Sequence, residues 1–226
     1  SNGLRFTQFY NASKRHTSRA SLLTGLYAQQ VGMSKTAKAY LKNSVTLAEV
    51  LKSAGYRTLM VGKYHGLDNP YDRGFDRYFG LRDGATNHFN PGYRRPEEPT
   101  PAQKRPGQRN WCIDSKCLQP YTPVNTMFYS TDAYTDKALE YLGEYNDESK
   151  PFFLYLSYQA PHDPLQAWPE DIAKYRGRYK EAGYRATIQQ RYENQAAIGL
   201  IDDSYQLSKP THYDWNRLSP EEQDIE

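Results

Sequence analysis

Thr46-Leu47-Ala48-Glu49-Val50-Leu51-Lys52-Ser53-Ala54-Gly55-Tyr56-Arg57-Thr58-Leu59-Met60-Val61-Gly62-Lys63-Tyr64-His65 reads as a capped helix running into a buried strand that ends in cations. Thr46 and Glu49 have capping-box spacing: the hydroxyl accepts an orphan N–H of the first turn, and the carboxylate reaches back to the Thr46 N–H. Leu47, Val50, Leu51 and Ala54 share one helical face. Gly55 fits the C′ position, where a left-handed backbone ends a helix. The strand predicted over Tyr56 to Val61 finishes on Leu59-Met60-Val61, the run expected of a strand covered on both faces.

The same alternation continues outward. Leu4 to Tyr10 roughly alternates apolar and polar residues, the period of a half-buried strand. Ser18 to Gln29 reads as a helix with Ala20, Leu22, Leu23 and Leu26 on its apolar face and Thr17 or Ser18 as N-cap. Residues 80–126 read as one long irregular region. Ser130 to Tyr145 is a predicted helix, and Pro151 to Tyr158 a second buried strand ending in Gln159-Ala160-Pro161-His162. Residues 169–200 read as mostly helical and charged. Helices alternating with buried strands predict an α/β sandwich with a mostly parallel central sheet flanked by helices. The chain is read as one partial domain over 1–226, incomplete at both ends, because it opens within a strand pattern and stops in polar sequence.

Composition narrows the function classes. With 226 residues, 38% hydrophobic and a formal net charge of +3, the chain lies in the globular range. No stretch approaches the ~20 apolar residues of a bilayer crossing. Basic groups such as Lys14-Arg15-His16 are short and scattered, so nucleic-acid binding is not expected. Cys112 and Cys117 fit either a local disulfide or two free thiols, and no further soft ligand stands at zinc-like spacing.

Ligands of parallel sheets bind beyond the carboxyl ends of the strands. Lys63, His65 and His162 each fall just past a predicted strand end. Arg15, His16 and Arg19 fall at the start of a helix, where free N–H groups and the dipole favour an anion. Together they predict a pocket for a small oxyanion; spacing alone does not separate sulfate from phosphate or carboxylate.

Motif resemblance separates them. Ser18-Arg19-Ala20-Ser21-Leu22-Leu23-Thr24-Gly25 is similar to the second half of the type I sulfatase signature, C-x-P-S-R-x-x-L-L-T-G. Gly62-Lys63-Tyr64-His65 resembles the family's G-K-W-H, and residues 160–167 resemble its A-P-H-x-P-L-Q-A segment. Residues 75–80 and 84–87 resemble the bacterial arylsulfatase branch. The resemblance implies an alkaline-phosphatase-like fold and hydrolysis of aryl or carbohydrate sulfate esters through formylglycine with the help of calcium. It implies a formylglycine-generating or anaerobic maturation enzyme as partner, and a periplasmic or secreted location. By the same resemblance Arg19 holds the formylglycine hydrate, Lys63 binds it and the sulfate, His65 takes a proton from the hydrate, and His162 binds sulfate and assists the leaving oxygen.

One position departs from the pattern. The signature cysteine aligns with Arg15, and Thr17 replaces the usual proline. A guanidinium cannot be oxidised to formylglycine and has no nucleophilic lone pair at ordinary pH. The family's remaining metal ligands are expected outside residues 1–226, and Asp202-Asp203 lacks their sequence context. The chain is therefore expected to be inactive or nearly so. The alternatives are a non-catalytic binder of sulfated glycans and a phosphoester or phosphonate hydrolase of the same superfamily.

Overall fold

In a computed structural model, which describes residues 3, 4, 6–96, 109–146, 149–180, 182–209 and 214–225, the quoted stretch forms helix α2 (Leu47–Ser53) and strand β1 (Arg57–Gly62). The capping box is complete: Thr46 Oγ1 accepts the Glu49 N–H at 3.1 Å, and Glu49 Oε2 accepts the Thr46 N–H at 2.5 Å. Gly55 takes a left-handed φ of 87°.

Strand β1 lies between β5 (Phe152–Ser157) and β2 (Arg77–Leu81), parallel to both. β2 continues antiparallel into a hairpin of β3 (Trp111–Ile113) and β4 (Lys116–Leu118). The order β4-β3-β2-β1-β5 makes a mixed sheet with a parallel three-stranded core. Side chains of β1 alternate between two cores. Met60 packs with Ala20 and Leu23 of α1 (Arg15–Thr24), Ala48 of α2, and Phe75. Leu59 and Val61 pack with Phe79, Trp111, and Tyr134, Ala138 and Tyr141 of α3 (Ser130–Glu144). Helices thus cover both faces, and Leu59, Met60 and Val61 are wholly buried, each contributing about 1.5–3 kcal/mol.

The described residues divide into two compact units, Tyr10–Gln166, which contains the sheet, and Ser1–Phe9 with Ala167–Glu226. In the second unit α4 (Pro169–Ala173) and α5 (Gly183–Ala197) are joined by turns and followed by α6 (Pro220–Ile225). Tyr184 packs edge-on against Trp215 at 4.8 Å. No helix among the described residues is long and apolar enough to cross a membrane.

Several expectations are corrected. Leu4 to Tyr10 forms no strand: no neighbouring strand pairs with its described residues, and Leu4, Phe6 and Phe9 are exposed. Arg5 of that stretch lies outside the described residues, as do 97–108 of the predicted long loop. Helix α1 begins at Arg15 and stops at Thr24, because Gly25 turns left-handed (φ 69°) and its N–H closes on Ser21 O at 2.8 Å. Lys14 is its N-cap, and the Thr17 hydroxyl donates to Lys14 O at 2.6 Å instead of capping. The 80–126 region contains the β3–β4 hairpin, stapled by a Cys112–Cys117 disulfide. β5 is half-buried instead of covered on both faces, since it is the edge of the described sheet. The mostly helical reading of residues 169–200 resolves into the two helices α4 and α5; Glu181 lies outside the described residues.

Candidate functional site

The site starts where β1 ends. Gly62 and Gly80 stand side by side on β1 and β2, with Ser157 of β5 opposite Gly62. A Cβ on Gly62 (φ 111°) would lie 2.0 Å from Ser157 O, and one on Gly80 (φ 153°) 2.1 Å from Gly62 O. Only glycine permits this backbone course and approach. Past this row the chain changes partners. Lys63 N–H donates to Ser157 O (2.7 Å), whereas the Tyr64 and His65 N–H groups donate to Leu81 O (2.9 Å) and Arg82 O (2.8 Å). His65 adopts a left-handed φ of 72°, a strained conformation for a residue with a side chain.

Arg19 ties helix α1 to these strand ends. Its Nη1 donates to Lys63 O (2.8 Å), Tyr155 OH (3.2 Å) and Ser157 Oγ. Nε and Nη2 have no hydrogen-bond partner among the described residues. The start of α1 is open as well: no side chain caps it, and the Arg15, His16 and Thr17 N–H groups are unpaired among the described residues.

These elements enclose a cleft of about 680 Å³ lined by Asn11, Ser13, Lys14, Arg15, Ser18, Arg19, Leu22, Lys63, Tyr155, Ser157, Tyr158, Gln159, Ala160, Pro161 and His162. Among the described residues five cationic or protonatable side chains line it, and no carboxylate does. Lys63 is 2% exposed, and no carboxylate or hydrogen-bond acceptor pairs with its ammonium among the described residues. Burial, then repulsion from Arg19 and Arg15, lowers its pKa to about 7. His162 Nδ1 lies 2.8 Å from Asp163 O, so that nitrogen carries the proton and Nε2 is the acceptor of the neutral ring. Burial and the Lys63 and Arg15 charges outweigh that hydrogen bond and lower the His162 pKa.

Of the five candidate residues, Arg15, Arg19, Lys63 and His162 meet at the cleft; His65 does not line it. His65 is 9% exposed and borders a small space behind α1, its ring 5.7 Å from that of His16. Its Nδ1 and His16 Nε2 are buried without hydrogen-bond partners among the described residues. Burial first, then Lys63 and His16, lowers the His65 pKa to about 3, so the ring is neutral near pH 7. Gly84 makes room for it, since a Cβ there would lie 2.7 Å from Nε2.

Sequence reading missed the residues that hold these groups. Tyr155 and Ser157 anchor Arg19, yet in sequence they are only alternate residues of a strand. His88 is 1% exposed; its Nδ1 lies 2.8 Å from Ser130 Oγ, and its Nε2 3.1 Å from Gln159 Nε2 and 3.3 Å from His162 O. The His88 N–H donates to Gln166 Oε1 (2.8 Å), and Gln159 Nε2 donates to Thr86 O (2.6 Å). His88 thus fastens the 159–166 segment that carries His162. It follows directly on the Gly84-Ala85-Thr86-Asn87 stretch, the one signal that pointed there.

Calcium does not fit the residues present. It takes six to eight oxygen ligands, typically with carboxylates, and the cleft offers cations. Among the described residues no three His, Cys, Asp or Glu side chains group as a metal site. Asp202 accepts the Ser204 N–H at 2.9 Å, closing a turn.

The family model described as Sulfatase matches residues 1–207. The chain is 33% identical to the arylsulfatase of Klebsiella aerogenes, with 98% of this chain and 49% of that protein covered. It is 34% identical to arylsulfatase G of Rattus norvegicus, over 90% of this chain and 41% of that one. The chain thus spans about half the length of the curated relatives it matches. A solved structure of BT4656 in complex with its substrate D-glucosamine-2-N,6-O-disulfate superposes with a TM-score of 0.53 at 26% identity, covering 73% of this chain and 28% of that one.

Proposed function

The chain belongs to the sulfatase family, and from that premise we propose that the protein is a sulfuric ester hydrolase by descent whose Arg15 form does not turn over. The observation that carries the reading is Lys63, a buried cation without a counter-charge among the described residues, facing a cleft that those residues line without a carboxylate. A buried charge persists only when paired, and a sulfate ester supplies the missing negative charge. An aryl or carbohydrate sulfate is the substrate class. The arylsulfatase names of two relatives and the disulfated sugar bound to a structural neighbour support this choice.

In this reading the chain's own groups divide the work. Lys63 binds the sulfate oxygens. Arg19, with Nη1 spent on Lys63 O, Tyr155 and Ser157, presents Nε and Nη2 to the nucleophile position on α1. His162 Nε2 faces the leaving oxygen and gives a proton when the ring is charged. His65 stays neutral, as a proton acceptor must, but reaches the site only if α1 or the 62–66 turn shifts. The formylglycine and calcium of the family would supply the activated nucleophile and further positive charge. Arg15 cannot become formylglycine, and the metal ligands must come from outside the described residues. A periplasmic or secreted location accords with the Cys112–Cys117 disulfide, since such bonds persist in oxidising compartments.

The test is restoration. Full-length protein carrying Arg15→Cys, made with a formylglycine-generating enzyme and supplied with calcium, is expected to hydrolyse 4-nitrophenyl sulfate at least about a thousandfold faster than the Arg15 form. Mass spectrometry reports conversion of the cysteine. No turnover in fully converted protein would sink the enzymatic reading.

A further inference from the structure

We propose that Arg15 makes this cleft a receptor: it grips the sulfate group of a sulfate monoester and releases the ligand unchanged. The inference rests on the family reading for the choice of sulfate ester, and on this chain alone for the role of Arg15. Arg15 is the first residue of α1, is exposed, and lines the cleft with Lys63 and His162. Its planar fork of N–H groups matches two oxygens of a tetrahedral oxyanion. The unpaired N–H groups of the first helical turn offer further donors at the favourable end of the dipole.

Helix ends and surface arginines are common, and neither would make a site alone. Lys63 is the independent observation. It is 2% exposed, opens on the same cleft, and has no partner among the described residues. Placing Arg15 beside Arg19 and Lys63 concentrates charge that nothing in the described cleft neutralises. An anion relieves that repulsion, so the substitution that removes the nucleophile strengthens ground-state binding. No bond is made or broken, because a guanidinium at this position has no lone pair to offer.

The size of the cleft selects the ligand. A cleft of about 680 Å³ is far larger than an inorganic anion and holds the organic part of an ester against Leu22, Tyr158 and Pro161.

Calorimetry on the full-length Arg15 protein with 4-nitrophenyl sulfate and inorganic sulfate tests this, with absorbance reporting any 4-nitrophenol released. The sulfate ester is expected to bind, more weakly as salt rises, and with no nitrophenol formed. Inorganic sulfate is expected to bind more weakly than the ester. Arg15→Ala is expected to lose at least tenfold in affinity with an unchanged thermal melt, and Arg15→Lys to fall between, keeping charge without the fork. Undiminished binding by Arg15→Ala, absence of heat with the Arg15 form, or release of nitrophenol would each overturn the proposal. Turnover by the matured Arg15→Cys protein reports on the family reading separately, so the two fail independently.

Discussion

Arg73 and Lys63 are two cations ten positions apart, the first half-buried and the second buried, and they are treated in opposite ways. Arg73 is fully matched within the chain. Its Nε donates to Glu49 Oε1 (3.1 Å), Nη1 to Asp68 Oδ1 (3.0 Å) and Leu41 O (3.2 Å), and Nη2 to Ser44 O (3.0 Å). Burial opposes its charge, yet the bonds to Glu49 and Asp68 outweigh it and raise the pKa. Asp68 also accepts the Leu41 N–H at 2.9 Å, so the cluster pins the loop ahead of α2. Lys63, on the other side of the same turn, has burial without compensation. A buried cation whose counter-charges come from its own chain is part of the scaffold; one left without them is poised for an external anion.

The largest effect expected from this contrast is at Arg73. Arg73→Met strips the shared partner from two carboxylates at once and should cost about 3–5 kcal/mol, read as a drop in the thermal or urea midpoint. A loss under about 1 kcal/mol would erase the contrast, since Arg73 would then be as dispensable as a surface charge.

Lys63→Met should do the reverse. It keeps the stem and removes an unmatched charge, so at pH 6 the unliganded protein is expected to gain about 1–3 kcal/mol. Sulfate-ester affinity should meanwhile fall at least about tenfold. The pH dependence follows in sign. The unfolded Lys63 titrates near 10.4 and the folded one at about 7. Between those values the unfolded chain holds the extra proton, so the Lys63 contribution to stability rises with pH. The slope is at most about 1.4 kcal/mol per pH unit, and the difference between wild type and Lys63→Met isolates it. His65 works on the acid side: with its folded pKa at about 3, stability falls as pH drops from about 6.5 toward 3. A flat difference between the two proteins from pH 7 to 10 would mean that Lys63 is charged and matched.

A smaller effect separates support from site. His88→Leu unpairs Ser130 Oγ and Gln159 and should cost about 1–2 kcal/mol, while weakening ester binding less than Lys63→Met does. Equal losses in binding would place His88 in contact with the ligand.

What the sequence disclosed follows the range of the interactions concerned. The α2 capping box and Gly55 were legible because each bond spans only a few residues. β1 was legible because both its faces are covered and its side chains need no knowledge of their neighbours. The start of α1 was misjudged by three residues: Thr17 is a good cap by type, but its hydroxyl bonds back to Lys14 O. Leu4 to Tyr10 has a strand's period, yet period specifies no partner. The strand-end positions of Lys63 and His162 placed both at one cleft. His65 obeyed the same rule and was turned away, because its left-handed backbone directs the ring behind α1. The contacts of His88 and Arg73 were invisible for a common reason: their partners stand 24 to 78 residues away, apart from Asp68.

The most direct test is an NMR titration of the Lys63 side chain in the Arg15 protein, with and without a saturating sulfate ester. A pKa of about 7 that climbs toward the ordinary lysine range when the ester binds is the predicted result. An ordinary lysine value that does not move on adding the ester would contradict the claim that Lys63 is a buried cation held for an external anion.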